Sequence, residues 1–377
     1  MHIHHRAAAL LKAGLAGLTL AAAAVSCGGG GGNDEEMSVT PPASTITGAY
    51  TVTALVTEAA GGAPNADPRL LNAWGIAFNP NGFVWVANEG SSSSTLYDGN
   101  GVPQSLVVAI PAGTAGAARP TGIVFNGSQD FKVTQNGVTG ASPFIFAGLG
   151  GTIAGWSPAV NLNNAVTTVD TGINGAFYTG LAIGSSAGAN YIYAADFRRG
   201  GIDVYDTGFQ KVTLPGGGFV DPGLPPNYAP FGLQAVGDRV YVAYAQRGAN
   251  GTDRVGGAGL GLVNVFSTGG AFVGRLVTTG GVLNAPWGMA IAPADFGDFS
   301  NMLLVANRGD GKINAFSPHD GKLIGTLMRG DRTPIAIDGL YGIAFGNGIQ
   351  AQPRNALFFT AGPGNGARGL YGRIQLQ

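Results

Sequence analysis

The pentapeptide Trp74-Gly75-Ile76-Ala77-Phe78 is the first copy of a phrase that returns five more times along the chain. Each copy has an aromatic residue or threonine first, glycine second, and apolar residues in most of the remaining positions. The glycines are Gly75, Gly122, Gly180, Gly232, Gly288 and Gly342, so successive copies lie 47 to 58 residues apart. This spacing accommodates four short strands with their turns, and a repeat of this length is typical of ring-shaped or stacked β architectures.

A second apolar run, rich in aromatic and β-branched residues, follows each copy of the phrase. These runs are Phe83–Ala87, Phe144–Ala147, Tyr191–Ala194, Val240–Ala243, Met302–Ala306 and Ala356–Phe359. Third and fourth short strands with turn residues between them complete most units, for example a fourth strand from Ser105 to Ile110. Six such units predict an all-β fold, a six-bladed β-propeller with four-stranded blades.

The two ends of the predicted propeller are complementary. The sixth unit stops at Gln377 after a third strand over Leu370–Leu376, whereas an unassigned strand over Tyr50–Thr57 precedes the first phrase. We expect this N-terminal strand to become the outer strand of the last blade, which closes the ring and removes an open sheet edge. The recurrent glycine is expected where innermost strands crowd at the axis and backbone approaches backbone.

Several segments resemble known propeller families. Ala285–Ala290 and Tyr193–Asp196 resemble the repeat of NHL-type propellers. Longer phrases resemble an uncharacterised family of exported bacterial proteins; they are Asn72–Pro80, Ser94–Gly101, Leu224–Phe231 and Phe296–Ile313. The resemblance covers about residue 50 to the end and implies fold and export, without an activity.

The first 27 residues read as an export signal. Arg6 and Lys12 precede an apolar run over Ala13–Val25, which is the length of a signal peptide core and shorter than a membrane-spanning helix. The run ends beside Cys27, the single cysteine, in a pattern that resembles a bacterial lipoprotein signal, although Ala24 replaces the usual leucine. That resemblance implies lipid attachment at Cys27 and, because Gly28 is not aspartate, sorting to the outer membrane. The alternative is an ordinary secretory signal with a chance cysteine.

The predicted organisation is therefore a signal over 1–27, a glycine-rich linker over 28–48 and a propeller over 49–377. The expected location is the cell envelope, facing the periplasm or the cell surface, with a lipid as the only membrane contact. Charged residues make up 11% of the chain, and 20 basic against 21 acidic residues give a net charge of −1. This balance argues against nucleic-acid binding, which needs clustered lysine and arginine. We expect a monomer.

Loops that enter the first strand of each blade and loops that leave the second strand lie on the same face of a propeller. We expect this face to form a concave site for a small molecule, a glycan or an envelope protein, with aromatic and polar side chains around it. The candidate ligand-binding residues are Asn72, Trp74, Asn88, Glu89, Asp196, Arg198, Phe231, Arg247, Trp287, Asn307, Arg308, Asp310 and Tyr341. The competing interpretation gives most of these residues structural roles in turns and between blades.

Catalysis is not expected, and no catalytic residue is assigned. The alternative is a Ca²⁺-dependent hydrolase or lyase of the six-bladed lactonase type, with Glu89, Asp196 and Asp310 as metal ligands. Arg198 and Arg308 would then repel the cation, and His319 is the only histidine outside the signal. A third interpretation is an inert structural module of the envelope.

Overall fold

Residues 48–377 are described by a computed structural model, and they belong to one compact unit. The predictions made for the signal, for Cys27 and for the linker as far as residue 47 lie outside the described residues. The described chain is nearly all β. Its two helices are single 3-10 turns, Gly172–Asn174 and Gly297–Phe299, and no helix in this part of the chain has the length and apolar character needed to cross a membrane.

Six small sheets follow one another around a ring, and each contains one copy of the glycine phrase as its innermost strand. Their strands pair antiparallel, apart from one short parallel pair at the outer edge of the last sheet. The first three blades run outward in chain order. Blade 1 contains β3 (Ala73–Phe78), β4 (Val84–Asn88), β5 (Ser93–Tyr97) and β6 (Pro103–Ala109). Blade 2 contains β7 (Pro120–Phe125), β10 (Phe144–Gly148), β11 (Thr152–Trp156) and β12 (Val166–Asp170). Blade 3 contains β13 (Tyr178–Ser186), β14 (Ala189–Asp196), β15 (Gly201–Tyr205) and β16 (Lys211–Val212).

The second half of the ring repeats this order with two additions. Blade 4 contains β17 (Tyr228–Val236), β18 (Arg239–Arg247), β20 (Gly261–Ser267) and β21 (Phe272–Val277), and β19 (Arg254–Val255) folds back against the end of β18. Blade 5 contains β22 (Pro286–Ile291), β23 (Leu303–Asn307), β24 (Ile313–Phe316) and β25 (Leu323–Thr326). Blade 6 contains β26 (Leu340–Phe345), β27 (Leu357–Ala361), β28 (Leu370–Leu376), β1 (Tyr50–Thr57) and β2 (Asn65–Ala66).

The six-bladed propeller is therefore confirmed, and so is its closure by the N-terminal strand. Strand β1 pairs antiparallel with β28 from Tyr50 opposite Leu376 to Thr57 opposite Leu370. Blades 4 and 6 each have a fifth short strand where four were expected. A hairpin formed by β8 (Lys132–Gln135) and β9 (Val138–Ala141) is inserted in blade 2 and was not predicted.

The ring is held by six apolar cores, one between each pair of neighbouring blades. The glycines of the phrase have the expected role, because successive inner strands contact each other around the axis and β26 contacts β3. A Cβ on Gly75 would lie 2.5 Å from the carbonyl oxygen of Thr121, and one on Gly288 would lie 2.3 Å from that of Tyr341. No side chain fits at such distances, so glycine is required at these two junctions between blades.

Candidate functional site

A cavity of about 460 Å³ opens at the end of the channel where the inner strands begin. Its lining comes from both sets of loops that the propeller topology groups together, the segments entering inner strands and those leaving second strands. The lining residues are Asn72, Trp74, Glu89, Arg119, Leu149, Phe177, Thr179, Arg198, Phe231, Thr252, Asp253, Arg254, Arg308, Tyr341, Asn365 and Gly366. Seven of the thirteen predicted candidates are among them.

The floor of the cavity is an aromatic cluster. The rings of Trp74 and Tyr341 stack with centroids 3.8 Å apart, and Phe231 and Trp287 meet the Trp74 ring edge-on at 6.0 Å. All four residues occupy the position before a phrase glycine, and Trp74 is only 4% exposed. Below them the channel narrows to a hollow of about 50 Å³ lined by the inner strands. The aromatic cluster therefore makes the cavity a dead end rather than the entrance of a pore.

Trp287 lies below the cavity rather than in its lining. Its indole Nε1 donates a hydrogen bond of 2.8 Å to the carbonyl oxygen of Thr179 on the inner strand of blade 3. Because this bond joins blade 5 to blade 3, which is not its neighbour in the ring, Trp287 fixes the floor in place. It does not offer a free donor to a ligand.

Glu89 is held by two neighbouring side chains. Arg119 approaches one carboxylate oxygen through both Nε and a terminal nitrogen, and the Nδ2 of Asn72 donates to the other oxygen. The Glu89 side chain is 6% exposed, so its charge is neutralised locally by Arg119. Asn72 and Arg119 have φ angles of 46° and 51°, a left-handed backbone that non-glycine residues rarely adopt and that costs about 1 kcal/mol or more. Both residues that hold Glu89 therefore have this strained backbone conformation.

Arg254 and Arg308 stand on the wall without a carboxylate within ion-pair distance among the described residues. The guanidinium carbon of Arg308 lies 4.8 Å from the centroid of the Tyr341 ring, and that of Arg254 lies 6.0 Å from the same centroid. Burial lowers the pKa of Arg254; Tyr341 and Asp253 oppose that effect, and the charge of Arg308 adds to it. Two like charges are therefore held against one aromatic ring.

Three buried polar atoms around the cavity have no hydrogen-bond partner within residues 48–377. They are the Nε1 of Trp74, the Oδ1 of Asn72 and the Nε of Arg308. Buried polar groups in folded proteins are nearly always satisfied, and an exception calls for an explanation such as an ordered water or an ion. Asn72, Trp74 and Arg308 all line the cavity, so two donors and one acceptor at its wall have no partner within the described chain.

Five other predicted candidates serve the loops around the cavity and do not line it. Asn88 donates to Thr95, Asn307 accepts from the backbone of Asn284, Arg247 donates to the carbonyl oxygen of Arg198, and Asp310 accepts from the backbone of Lys312. Asp196 accepts from the backbone of Phe177 and Arg199, and burial raises its pKa.

The three carboxylates expected for a calcium site do not converge. Glu89 is bound by Arg119, whereas Asp196 and Asp310 belong to blades 3 and 5 and serve other loops. Within residues 48–377, no group of three or more histidine, cysteine, aspartate or glutamate side chains is arranged to hold a metal ion.

Part of the lining came from residues that the repeat pattern did not single out. Thr252, Asp253 and Arg254 belong to a hairpin that leaves β18 and returns along it as β19, and Asn365 lies in the loop after β27. Phe177 lies beneath Arg198, whose guanidinium carbon is 5.2 Å from the ring centroid. The available signal was the length of the loops that follow β18 and β27, which exceeds that of a tight turn.

These features define the class of protein: a six-bladed propeller with a blind polar cavity at one end of its channel. No family model matches the chain. The sequence is 33% identical over 329 residues to uncharacterized protein R648 of Acanthamoeba polyphaga mimivirus, covering 85% of this chain and 78% of the relative. It is 33% identical to uncharacterized protein L690 of the same virus over 75% of each chain. The chain belongs to the family of these viral proteins.

Solved propellers are similar in fold alone. Virginiamycin B lyase from Staphylococcus aureus aligns with 87% of this chain and all of its own at 12% identity and a TM-score of 0.43. The PQQ-bound aldose sugar dehydrogenase from Streptomyces coelicolor aligns with 88% of this chain and 99% of its own at 15% identity and a TM-score of 0.47. The viral relatives carry no stated activity, so the predicted kinship with exported bacterial proteins stays a prediction.

Proposed function

We propose that the protein is a non-catalytic binding propeller and that the cavity at the channel end binds a small polar ligand. The observation that carries the proposal is the set of unpartnered buried atoms on Trp74, Asn72 and Arg308 around one concave space. A volume of about 460 Å³ suits a ligand of monosaccharide to dipeptide size, since small-molecule sites generally span about 300–1,000 Å³.

The distribution of carboxylates favours binding over metal-assisted hydrolysis. A calcium site needs several oxygen ligands around one point, whereas Glu89 is the one predicted metal ligand in the lining and is bound by Arg119. The remaining charged groups of the wall are mostly arginines, which suit recognition of a polar ligand better than retention of a cation.

Ligand-observed NMR on the full chain tests the proposal with a panel of neutral sugars, sugar acids and dipeptides. Thr252 lines the cavity from a loop, so Thr252→Trp should fill the space and abolish saturation transfer to the members that bind. Val273→Trp is the matched control, because Val273 is 52% exposed on the outer strand of blade 4. Signals that survive Thr252→Trp, or the lack of any binding member, would overturn the proposal.

The proposal includes a location: the propeller is exported and attached to the envelope by a lipid on Cys27, facing the periplasm or the surface as a monomer. Its support is the apolar run that ends beside the single cysteine. Expression in a Gram-negative host with labelled palmitate should label the wild-type chain and leave Cys27→Ser unlabelled. Equal labelling, or export of both as the same unmodified species, contradicts the lipid anchor.

A further inference from the structure

The cavity is positively charged, in a chain whose overall charge is nearly balanced. Its lining contains four arginines, Arg119, Arg198, Arg254 and Arg308, and two carboxylates, which is a net charge of +2. Arg119 is neutralised by Glu89. The second carboxylate, Asp253, is exposed and accepts a hydrogen bond of 2.6 Å from Asn250 in its own hairpin. The excess positive charge therefore resides on the remaining arginines.

Arg308 is the most buried of these cations. It is 8% exposed, its Nε has no partner, and its charge is met by the face of the Tyr341 ring and by no carboxylate. A buried cation with unused donors is unfavourable unless something pairs with it. Arg254 increases the imbalance because it approaches the same ring from β19, a strand anchored only to the end of β18.

The two arginines also mark a junction in the cavity. A neighbouring hollow of about 380 Å³ opens toward the surface and shares Arg254, Arg308, Asp253 and Asn365 with the cavity. A group held at the arginines can therefore have one part over the aromatic floor and another part in the outer hollow. A planar guanidinium offers a fork of donors that matches the oxygens of a carboxylate or a phosphate.

We propose that Arg254 and Arg308 form a receptor for an oxyanion, the carboxylate or phosphate group of the small ligand, with the Nε1 of Trp74 as an additional donor. This inference rests on the proposed binding function and names the chemistry of the ligand. The neutral part of the ligand then lies against the aromatic floor, where Trp74 and Tyr341 are stacked. The anion supplies the counter-charge that the described chain does not provide.

Thermal unfolding of the full chain tests the receptor with inorganic phosphate against chloride at equal ionic strength. Phosphate should raise the unfolding temperature of the wild type and of Arg239→Gln, whose arginine pairs with Asp238 in a hairpin away from the cavity. Arg254→Gln and Arg308→Gln should bind phosphate at least about tenfold more weakly, which is about 1.4 kcal/mol. A wild type that responds equally to phosphate and chloride overturns the inference.

A second measurement separates a receptor from a merely structural role. Without any oxyanion, Arg254→Gln should unfold at a higher temperature than the wild type, because the substitution removes one of two like charges beside Tyr341. A structural arginine would give the opposite sign. Since Arg254 lies on a peripheral two-residue strand, this variant remains informative even if Arg308→Gln does not fold.

Binding of glucose and of two of its acidic derivatives identifies the preferred anion. The same comparison distinguishes failure of the oxyanion receptor from failure of the proposed binding function. Glucuronate or glucose 6-phosphate should bind at least about tenfold more tightly than glucose, and the tighter of the two identifies carboxylate or phosphate as the preferred group. If glucose binds as tightly as both acids, and Thr252→Trp abolishes all three signals, the oxyanion receptor is refuted while the binding function stands. If none of the signals responds to Thr252→Trp, the binding function itself fails.

Discussion

Replacing Gly232 with alanine should weaken the junction between blades 4 and 5. Gly232 belongs to the phrase on the inner strand of blade 4, and a Cβ placed there would lie 2.0 Å from the carbonyl oxygen of Trp287 on the next inner strand. A carbon and an oxygen that are not bonded need more than 3 Å, so the two strands would have to separate by about 1 Å. The change therefore strains the ring next to a residue that also holds the cavity floor.

The expected loss of folding free energy is the difference between two opposing contributions. Forcing an extra methyl group into close-packed structure costs about 1–3 kcal/mol, and backbone contact places this site at the upper end. The loss of glycine freedom in the unfolded chain returns about 0.4–1 kcal/mol. The net destabilisation is then about 2 kcal/mol. With an unfolding entropy of about 2.1 cal/mol/K per residue over about 330 residues, the unfolding temperature should fall by about 3 °C.

The unfolding temperatures are measured by calorimetry, and Gly180 provides the matched control. It holds the same position in the phrase of blade 3, but a Cβ there would lie 3.1 Å from the carbonyl oxygen of Phe231, a contact that a shift of a few tenths of an ångström relieves. Gly180→Ala should therefore change the unfolding temperature by less than about 1 °C. Equal effects of the two substitutions, or a more stable Gly232→Ala, would refute the view that these glycines are required by backbone crowding.

Three further predictions concern the ring and its outer parts. A deletion that extends through Thr57 should abolish the folded circular-dichroism spectrum, because it removes the closing strand, whereas a deletion ending at residue 47 should retain it. Burial alone would raise the pKa of Asp221, but hydrogen bonds, above all from Arg275, lower it, so the stabilisation by this carboxylate is present above about pH 4 and lost as the pH falls further. Asp221→Asn should therefore lower the free energy of unfolding by about 2 kcal/mol at pH 7. In urea unfolding experiments at a series of pH values, the loss of stability at acid pH should be smaller for this variant than for the wild type. Trp287→Phe should cost about 1 kcal/mol in the same urea assay by removing the bond to Thr179, and an unchanged midpoint would contradict that role.

The fold could be predicted because the repeat carries its own geometric requirement. At five of the six phrase glycines a Cβ would collide with the neighbouring inner strand, and Gly180 is the exception, so the phrase marks one blade each time it appears. Ring closure followed from counting strands, and the pairing of Tyr50 with Leu376 confirms it. The inserted hairpin of β8 and β9 has no such requirement, which explains why the repeat did not reveal it.

The cavity was less predictable because side-chain direction alternates along a strand. Asn88 and Glu89 are adjacent in sequence at the end of β4, yet Asn88 bonds to Thr95 inside the blade whereas Glu89 faces the cavity. The repeat pattern predicted that both residues lie at the end of the ring where the cavity opens, but it did not predict which side chain faces the axis. Arg254 was missed for another reason. Its position depends on the pairing of the two-residue strand β19 with the end of β18, and a strand this short leaves no periodic pattern in the sequence.

The two ends of the channel differ in the chemistry of their lining. The opposite end opens into a hollow of about 320 Å³ lined by the last residues of inner strands, such as Phe78, Phe125 and Phe345, whose side chains are apolar. Between the two ends, beneath Trp74 and Tyr341, the channel contains a hollow with a volume of only about 50 Å³. The glycines that let the inner strands approach each other also bring together the strands whose first residues line the arginine-rich cavity. Closure of the ring and the shape of that cavity therefore depend on the same packing.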